Sequence, residues 1–229
     1  MCGRYASSRD ARDLARAFEV EQPPEQVIPA SWNVAPTDAV YAVLQRDATR
    51  LLTVLRWGLV PSWAKDAKGA ARLINARQET VTSKPAFRAA YARRRCLLPA
   101  DGFYEWQVDA AGKQPWFLSS ADGGPLAMAG LYEVWSPPGG ERLWTCAVLT
   151  TAAADDTGHL HDRTPLVVPR ADWARWLDPE VADPGGHLLV PAVAGVLDAW
   201  PVYAAVGNVH NDGPQLIAPR QPQGPPTLF

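Results

Sequence analysis

No stretch of this sequence approaches the ~20 consecutive apolar residues that a membrane-spanning helix needs. The opening residues, MCGRYASSRDARDLARAF, lack the apolar core of a signal peptide. A soluble cytoplasmic protein with no membrane partner is the expectation. Cysteine is scarce: Cys2, Cys96 and Cys146 are odd in number and far apart. That argues against a disulfide scaffold, and it supplies neither the close pair of a redox dithiol nor the ligand spacing of zinc. No metal and no cofactor are expected. Position 2 is not glycine, so the N-myristoylation pattern is absent as well.

An excess of positive charge is also missing. A formal net charge of -2 gives the chain no overall attraction for nucleic acid. The distribution is nevertheless uneven: no acid lies between Glu79 and Asp101, and Lys84, Arg88, Arg93, Arg94 and Arg95 all fall inside that gap. The stretch is a candidate phosphate-facing patch, to be weighed against the plainer reading of a solvated helix face.

With 229 residues, 47% of them hydrophobic, the chain can bury one sizeable core, and no linker divides it. Ala11, Leu14, Ala15 and Phe18 repeat at helical spacing behind Ser7 and Asp10, which suit a capping box. Further helices are predicted from Pro85, with Phe87 and Tyr91 four apart, and around Trp173, Trp176 and Leu177. Short β-branched and aromatic runs at 39–45, 51–60, 95–98, 103–108, 115–118, 126–135 and 143–150 read as strands. Turn residues such as Asp122-Gly123-Gly124-Pro125 separate them, which favours antiparallel pairing over βαβ crossovers. The class is α+β: one domain of mostly antiparallel, barrel-like sheets flanked by a few short helices. A proline-rich tail, 213–229, is set apart from the domain at 1–212.

Four segments carry candidate chemistry. Removal of Met1 would leave Cys2 with an amine and a thiol on one residue. An α-amine has a pKa near 8 against about 10.4 for lysine, so at pH 7 roughly a tenth of it is free base. It is therefore a good imine former, and the neighbouring thiol can close onto the imine carbon as a five-membered thiazolidine, an intramolecular step. Glu105, in PADGFYEWQV, shares a strand face with Phe103, and a carboxylate among rings has a raised pKa suited to proton transfer near neutrality. His161, in LHDRTPLVV, is readily tuned for the same work. Asn75, Arg77 and Glu79 alternate in LINARQET, so an extended segment would aim all three the same way. There an amide could orient the terminal amine and an arginine could hold a phosphate. Each of these residues also has an ordinary structural reading: an incidental cysteine, a surface ion pair, a core histidine.

The strings MCGRY, NVAPT, WGLVPSW, LINARQET, PAFR, RRRCLLPADGFYEW, AGLYEVW, LTTAAAD, LHDRTP and VGNVHND together resemble the SOS response-associated peptidase family, also called abasic-site processing proteins. The resemblance runs over nearly the whole chain. It implies a protein that crosslinks itself through Cys2 to abasic sites in single-stranded DNA as a thiazolidine, shielding the lesion. It further implies that Asn75 positions the terminal cysteine, that Glu105 handles protons, and that His161 assists opening of the deoxyribose. Arg4 and Arg77, with Ser83 and Thr151 as weaker candidates, match positions that grip phosphates. Trp63, Asn33 and Pro36 resemble the wedge against neighbouring bases. A monomer is expected, associated with the nucleoid if the source is bacterial.

The sequence departs from the family pattern at Thr164, where a methionine is usual, and at His210, where lysine is expected. Two other classes compete. Class II glutamine amidotransferases also begin Met-Cys-Gly and use the terminal amine as base for its own thiol. A non-covalent single-strand binder would leave Cys2 idle.

Overall fold

Alternate residues of the central strands feed two different apolar clusters, and that double burial decides the architecture. The computed structural model describes residues 2–21, 24–47, 49–109, 112–137, 139–153, 160–181 and 195–220. Its strands are β1 (Tyr5–Ser7), β2 (Ser31–Val34), β3 (Ala39–Arg46), β4 (Thr49–Trp57), β5 (Asn75–Arg77), β6 (Arg95–Ala100), β7 (Gly102–Asp109), β8 (Gly112–Ser120), β9 (Leu126–Trp135), β10 (Leu143–Ala152), β11 (Arg163–Pro165) and β12 (Leu197–Pro201). Among the described residues three short α-helices join them: α1 (Ala11–Ala17), α2 (Arg88–Arg93) and α3 (Trp173–Leu177).

Strands β10, β4, β3, β6 and β9 follow one another, and β9 pairs back onto β10, closing a barrel from which β5 and β11 extend. A second sheet has the order β12, β8, β7, β1, β2. Pairing is antiparallel except where β10 meets β4 and β5. The α+β, barrel-like expectation is met.

Along β3, Val40, Ala42 and Leu44 join a cluster shared with Cys2, Tyr5, Phe103 and Leu118 of the second sheet. Tyr41 and Val43 join another cluster, with Leu14 of α1, Tyr91 of α2 and Trp176 of α3. Strands buried on both faces read as continuous apolar runs, which is why β3, β6, β9 and β10 are legible in sequence. Several local expectations change. Ser7 pairs with Ser31 in the β1–β2 ladder, so it forms no capping box, and Asp10 alone caps α1 by accepting from the backbone N–H groups of Arg12 and Asp13. The LINARQET strand stops at Arg77, where a Thr80 N–H to Arg77 carbonyl bond turns the chain, so Glu79 leaves the shared face.

The basic stretch divides. Lys84, Arg88 and Arg93 are exposed, but Arg95 is buried and donates to the carbonyls of Tyr91, Ala92, Trp176, Asp178 and Val181. It satisfies the last carbonyls of α2 and α3, which helix geometry leaves without internal partners. Arg94 pairs with Glu133 at 2.7 Å. Both guanidiniums are held by partners within the protein. Of the proline-rich segment, residues 213–220 are described and pack on the second sheet: Leu216 is buried, and the Trp200 ring N–H donates to the Ile217 carbonyl at 2.8 Å.

Candidate functional site at the amino terminus

Strand β1 lies between β2 and β7, with Tyr5 opposite Phe103. The Tyr104 N–H donates to the Arg4 carbonyl at 3.0 Å, which carries the pairing toward the terminus and sets Cys2 near Glu105. Cys2 is fully buried. Its carbonyl accepts from Asn75 Nδ2 at 2.7 Å. Asn75 is held from behind: β5 runs parallel to β10 with Asn75 opposite Val148, and the Trp57 ring N–H donates to the Ile74 carbonyl at 3.0 Å. The other end of the amide, Asn75 Oδ1, is buried with no hydrogen-bond partner among the described residues.

Glu105 stands opposite Trp116 in the β7–β8 ladder and is 3% exposed. Burial pushes its carboxyl from an ordinary 4.5 up to about 7, the positive amino terminus pulling the other way and Asp162 adding to the rise. Burial, with the Glu105 charge beside it, also raises the Cys2 thiol far above its usual range, so the sulfur is protonated at neutral pH. Burial and the positive terminus lower the pKa of His161, which is half-buried. Its Nδ1 accepts from the Arg163 N–H at 3.0 Å and lies 2.7 Å from Asp162 Oδ1. The neutral ring uses the first contact, and a protonated ring the second. Glu105, His161, Arg163 and Thr164 share one narrow recess walled by Phe103 and Leu118. A larger groove between Glu25, Arg46, Leu51 and Trp144 contains none of the candidate residues.

The fold therefore brings together Cys2, Asn75, Glu105 and His161 from four separate segments. Arg163, which the string reading left aside, joins them: its guanidinium binds Glu79 at 2.6 Å and the Thr150 carbonyl at 2.8 Å. The available signal was its place two residues after His161. The remaining candidates separate. Trp63 is 68% exposed, Arg77 is exposed, and Pro36 is half-buried. Gly58, at φ 124, ends β4 where a side chain would meet the Ala70 carbonyl at 2.8 Å. Beyond it, the Trp135 ring N–H donates to the Ala64 carbonyl at 2.8 Å, fixing the loop that presents Trp63. Ser83 is exposed, its hydroxyl bonded to the Thr80 carbonyl. Asn33 and Thr151 are buried, so neither stands at the surface where base and phosphate contacts were expected. Thr164 lies opposite Thr151 in the β10–β11 ladder, and His210 is exposed. Among the described residues, no cluster of three or more histidines, cysteines or acids could hold a metal ion, and no helix is long and apolar enough to cross a membrane.

The sequence matches the SOS response associated peptidase (SRAP) family over residues 1–209. It is 37% identical over 221 residues to the abasic site processing protein YoqW of Bacillus subtilis (strain 168), covering 95% of this chain and 99% of that one. To the abasic site processing protein YedK of Escherichia coli (strain K12) it is 34% identical over 230 residues, covering 96% and 100%. A crystal structure of a Bacteroides thetaiotaomicron protein superposes with a TM-score of 0.85 at 23% identity, covering 96% of this chain and all of that one, a likeness of fold.

Proposed function

The chain belongs to the SOS response associated peptidase family, and from that premise we propose that it captures abasic sites in single-stranded DNA as a covalent thiazolidine on Cys2, once Met1 is removed. One observation carries the reading: the Cys2 backbone is held at 2.7 Å by Asn75, with a carboxyl of pKa about 7 and a neutral imidazole beside it. The protonated thiol sets the order of events. The free α-amine attacks the aldehyde of the opened sugar first. Glu105, half protonated near neutral pH, donates a proton to the hydroxyl as the carbinolamine loses water, and its carboxylate takes the proton from the nitrogen to leave a neutral imine. The sulfur then adds to the imine carbon, and its proton ends on the ring nitrogen. Asn75 Oδ1, buried without a partner, is suited to accept from the new terminal amine. His161 serves proton transfer during sugar opening.

Arg4 and Arg77 locate the strand by its phosphates, which suits a lesion that lacks a base. Trp63 is exposed and its ring can stack on a base of any sequence. The protein acts as a monomer in the cytoplasm, associated with DNA. The test is mass spectrometry of the purified protein with and without an abasic oligonucleotide. Loss of Met1 and a heat-stable adduct one water lighter than the sum of its parts are the expected result. Cys2→Ala should lose the adduct and keep non-covalent binding. An adduct that survives this substitution would overturn the reading.

A further inference from the structure

A guanidinium carries five N–H donors in one plane. In Arg4, Nη1 donates to Asn33 Oδ1 at 2.8 Å and to the Val206 carbonyl at 3.1 Å, and Nε donates to the Gly3 carbonyl at 3.3 Å. Both N–H groups of Nη2 remain without a partner among the described residues. Asn33, whose side chain looked from sequence like part of a base wedge, is 4% exposed, and its amide is fully occupied. It accepts from Arg4 and donates to the Asn208 and Asn211 carbonyls at 3.0 and 2.7 Å. The same segment is tied down twice more, by the Trp32 N–H on Asp212 Oδ1 at 2.6 Å and by Asn211 Nδ2 on the Ala205 carbonyl at 2.8 Å.

We propose that Asn33 is a positioning residue for Arg4: it locks one edge of the guanidinium to the 204–212 segment, leaves the Nη2 edge for a backbone phosphate, and does not itself touch DNA. This deepens the proposed function and rests on Arg4 meeting phosphate. The physical point is entropy. A free arginine must lose rotamer freedom when it binds, whereas one clamped at Nη1 and Nε has lost it on folding. The clamp also makes the amino-terminal strand and the 204–212 segment a single body around that phosphate.

The experiment is a salt titration of binding to a fluorescent, undamaged single-stranded oligonucleotide, with thermal melting of each protein. Arg4→Ala should weaken binding about tenfold and reduce the salt slope by about 0.7, the value of one phosphate contact on a single strand. Asn33→Ala should weaken it about fivefold, the scale of one lost hydrogen bond, in the otherwise natural protein. Combined with Arg4→Ala it should cost nothing more. An equal cost in both backgrounds overturns the proposal, since a base contact or a general loosening of the fold would act without Arg4. Arg4→Lys leaves Asn33 untouched and covers the case in which Asn33→Ala folds poorly. It should keep the slope yet bind about as weakly as Asn33→Ala, because an ammonium cannot span both the clamp and the phosphate. Binding by Arg4→Lys as tight as the natural protein's also overturns the proposal. Failure of the underlying reading is separate: Arg4→Ala would bind as before, whereas Asn33 acting independently leaves the Arg4 effect and the Cys2 adduct intact.

Discussion

The side-chain amide of Asn75 donates to the carbonyl oxygen of Cys2 at 2.7 Å, joining residues 73 apart in sequence. The bond fixes where Cys2 sits, while Asn75 Oδ1 is buried without a partner among the described residues. Asn75→Ala is expected to slow adduct formation about 10- to 100-fold, the range for losing one or two hydrogen bonds at a buried site. Affinity for undamaged single strands should not change. Gel-resolved kinetics on an abasic oligonucleotide measure the first, and an unaltered rate would remove Asn75 from the mechanism.

The carboxyl of Glu105 ties stability to pH. Its pKa is raised on folding, from 4.5 to about 7, chiefly by burial. The folded state thus prefers the neutral acid. That preference is fully present below about pH 4.5 and is lost as pH rises through about 7. At 1.36 kcal/mol per pKa unit the full swing is about 3 kcal/mol. Glu105→Gln, which cannot ionise, should therefore gain on the natural protein by up to about 3 kcal/mol between pH 4 and pH 8. Urea unfolding at the two pH values measures it. The same substitution should slow adduct formation at neutral pH, and parallel stability curves would show that Glu105 titrates in the ordinary range.

Trp63 offers a cleaner separation of binding from folding. With 68% of its surface exposed, Trp63→Ala should leave the melting temperature within a degree or two, as surface changes usually do. Affinity for a single strand should fall by about 1–3 kcal/mol, the worth of one base stacked on an aromatic ring. Fluorescence anisotropy gives the affinity. If both quantities stay unchanged, Trp63 contacts no base.

Arg95 should behave in the opposite way. Arg95→Ala removes the donors for five backbone carbonyls and is expected to destabilise the fold by about 3–5 kcal/mol, the range for breaking a buried polar network. The salt slope for DNA binding, measured at a temperature where the variant is folded, should be the same as before. A reduced slope would return Arg95 to the phosphate-facing group.

The longer strands were legible because both faces of β3, β6, β9 and β10 are covered, leaving apolar runs that turn residues interrupt. Strands β1, β2 and β11, of three or four residues, have too little periodicity to be read: β1 and β11 take their hydrogen bonds from the longer β7 and β10, and β2 pairs on β1. The run of arginines misled for a related reason. Sequence displays its charge but not the carbonyls at the ends of α2 and α3 that draw Arg95 inward.

What the sequence determined by itself is covalent: a thiol on the second residue, which removal of Met1 would join to a free amine, and the set of side chains able to move protons and hold phosphate. Only the tertiary structure decided which of them meet. Desolvation raises Glu105, the reach of Asn75 holds Cys2, and the closing of Asn33 around Arg4 keeps an amide off the surface. Each of these depends on atoms brought close by packing from distant parts of the chain, and both dielectric and hydrogen-bond geometry change over a few ångströms, a scale that sequence spacing does not encode.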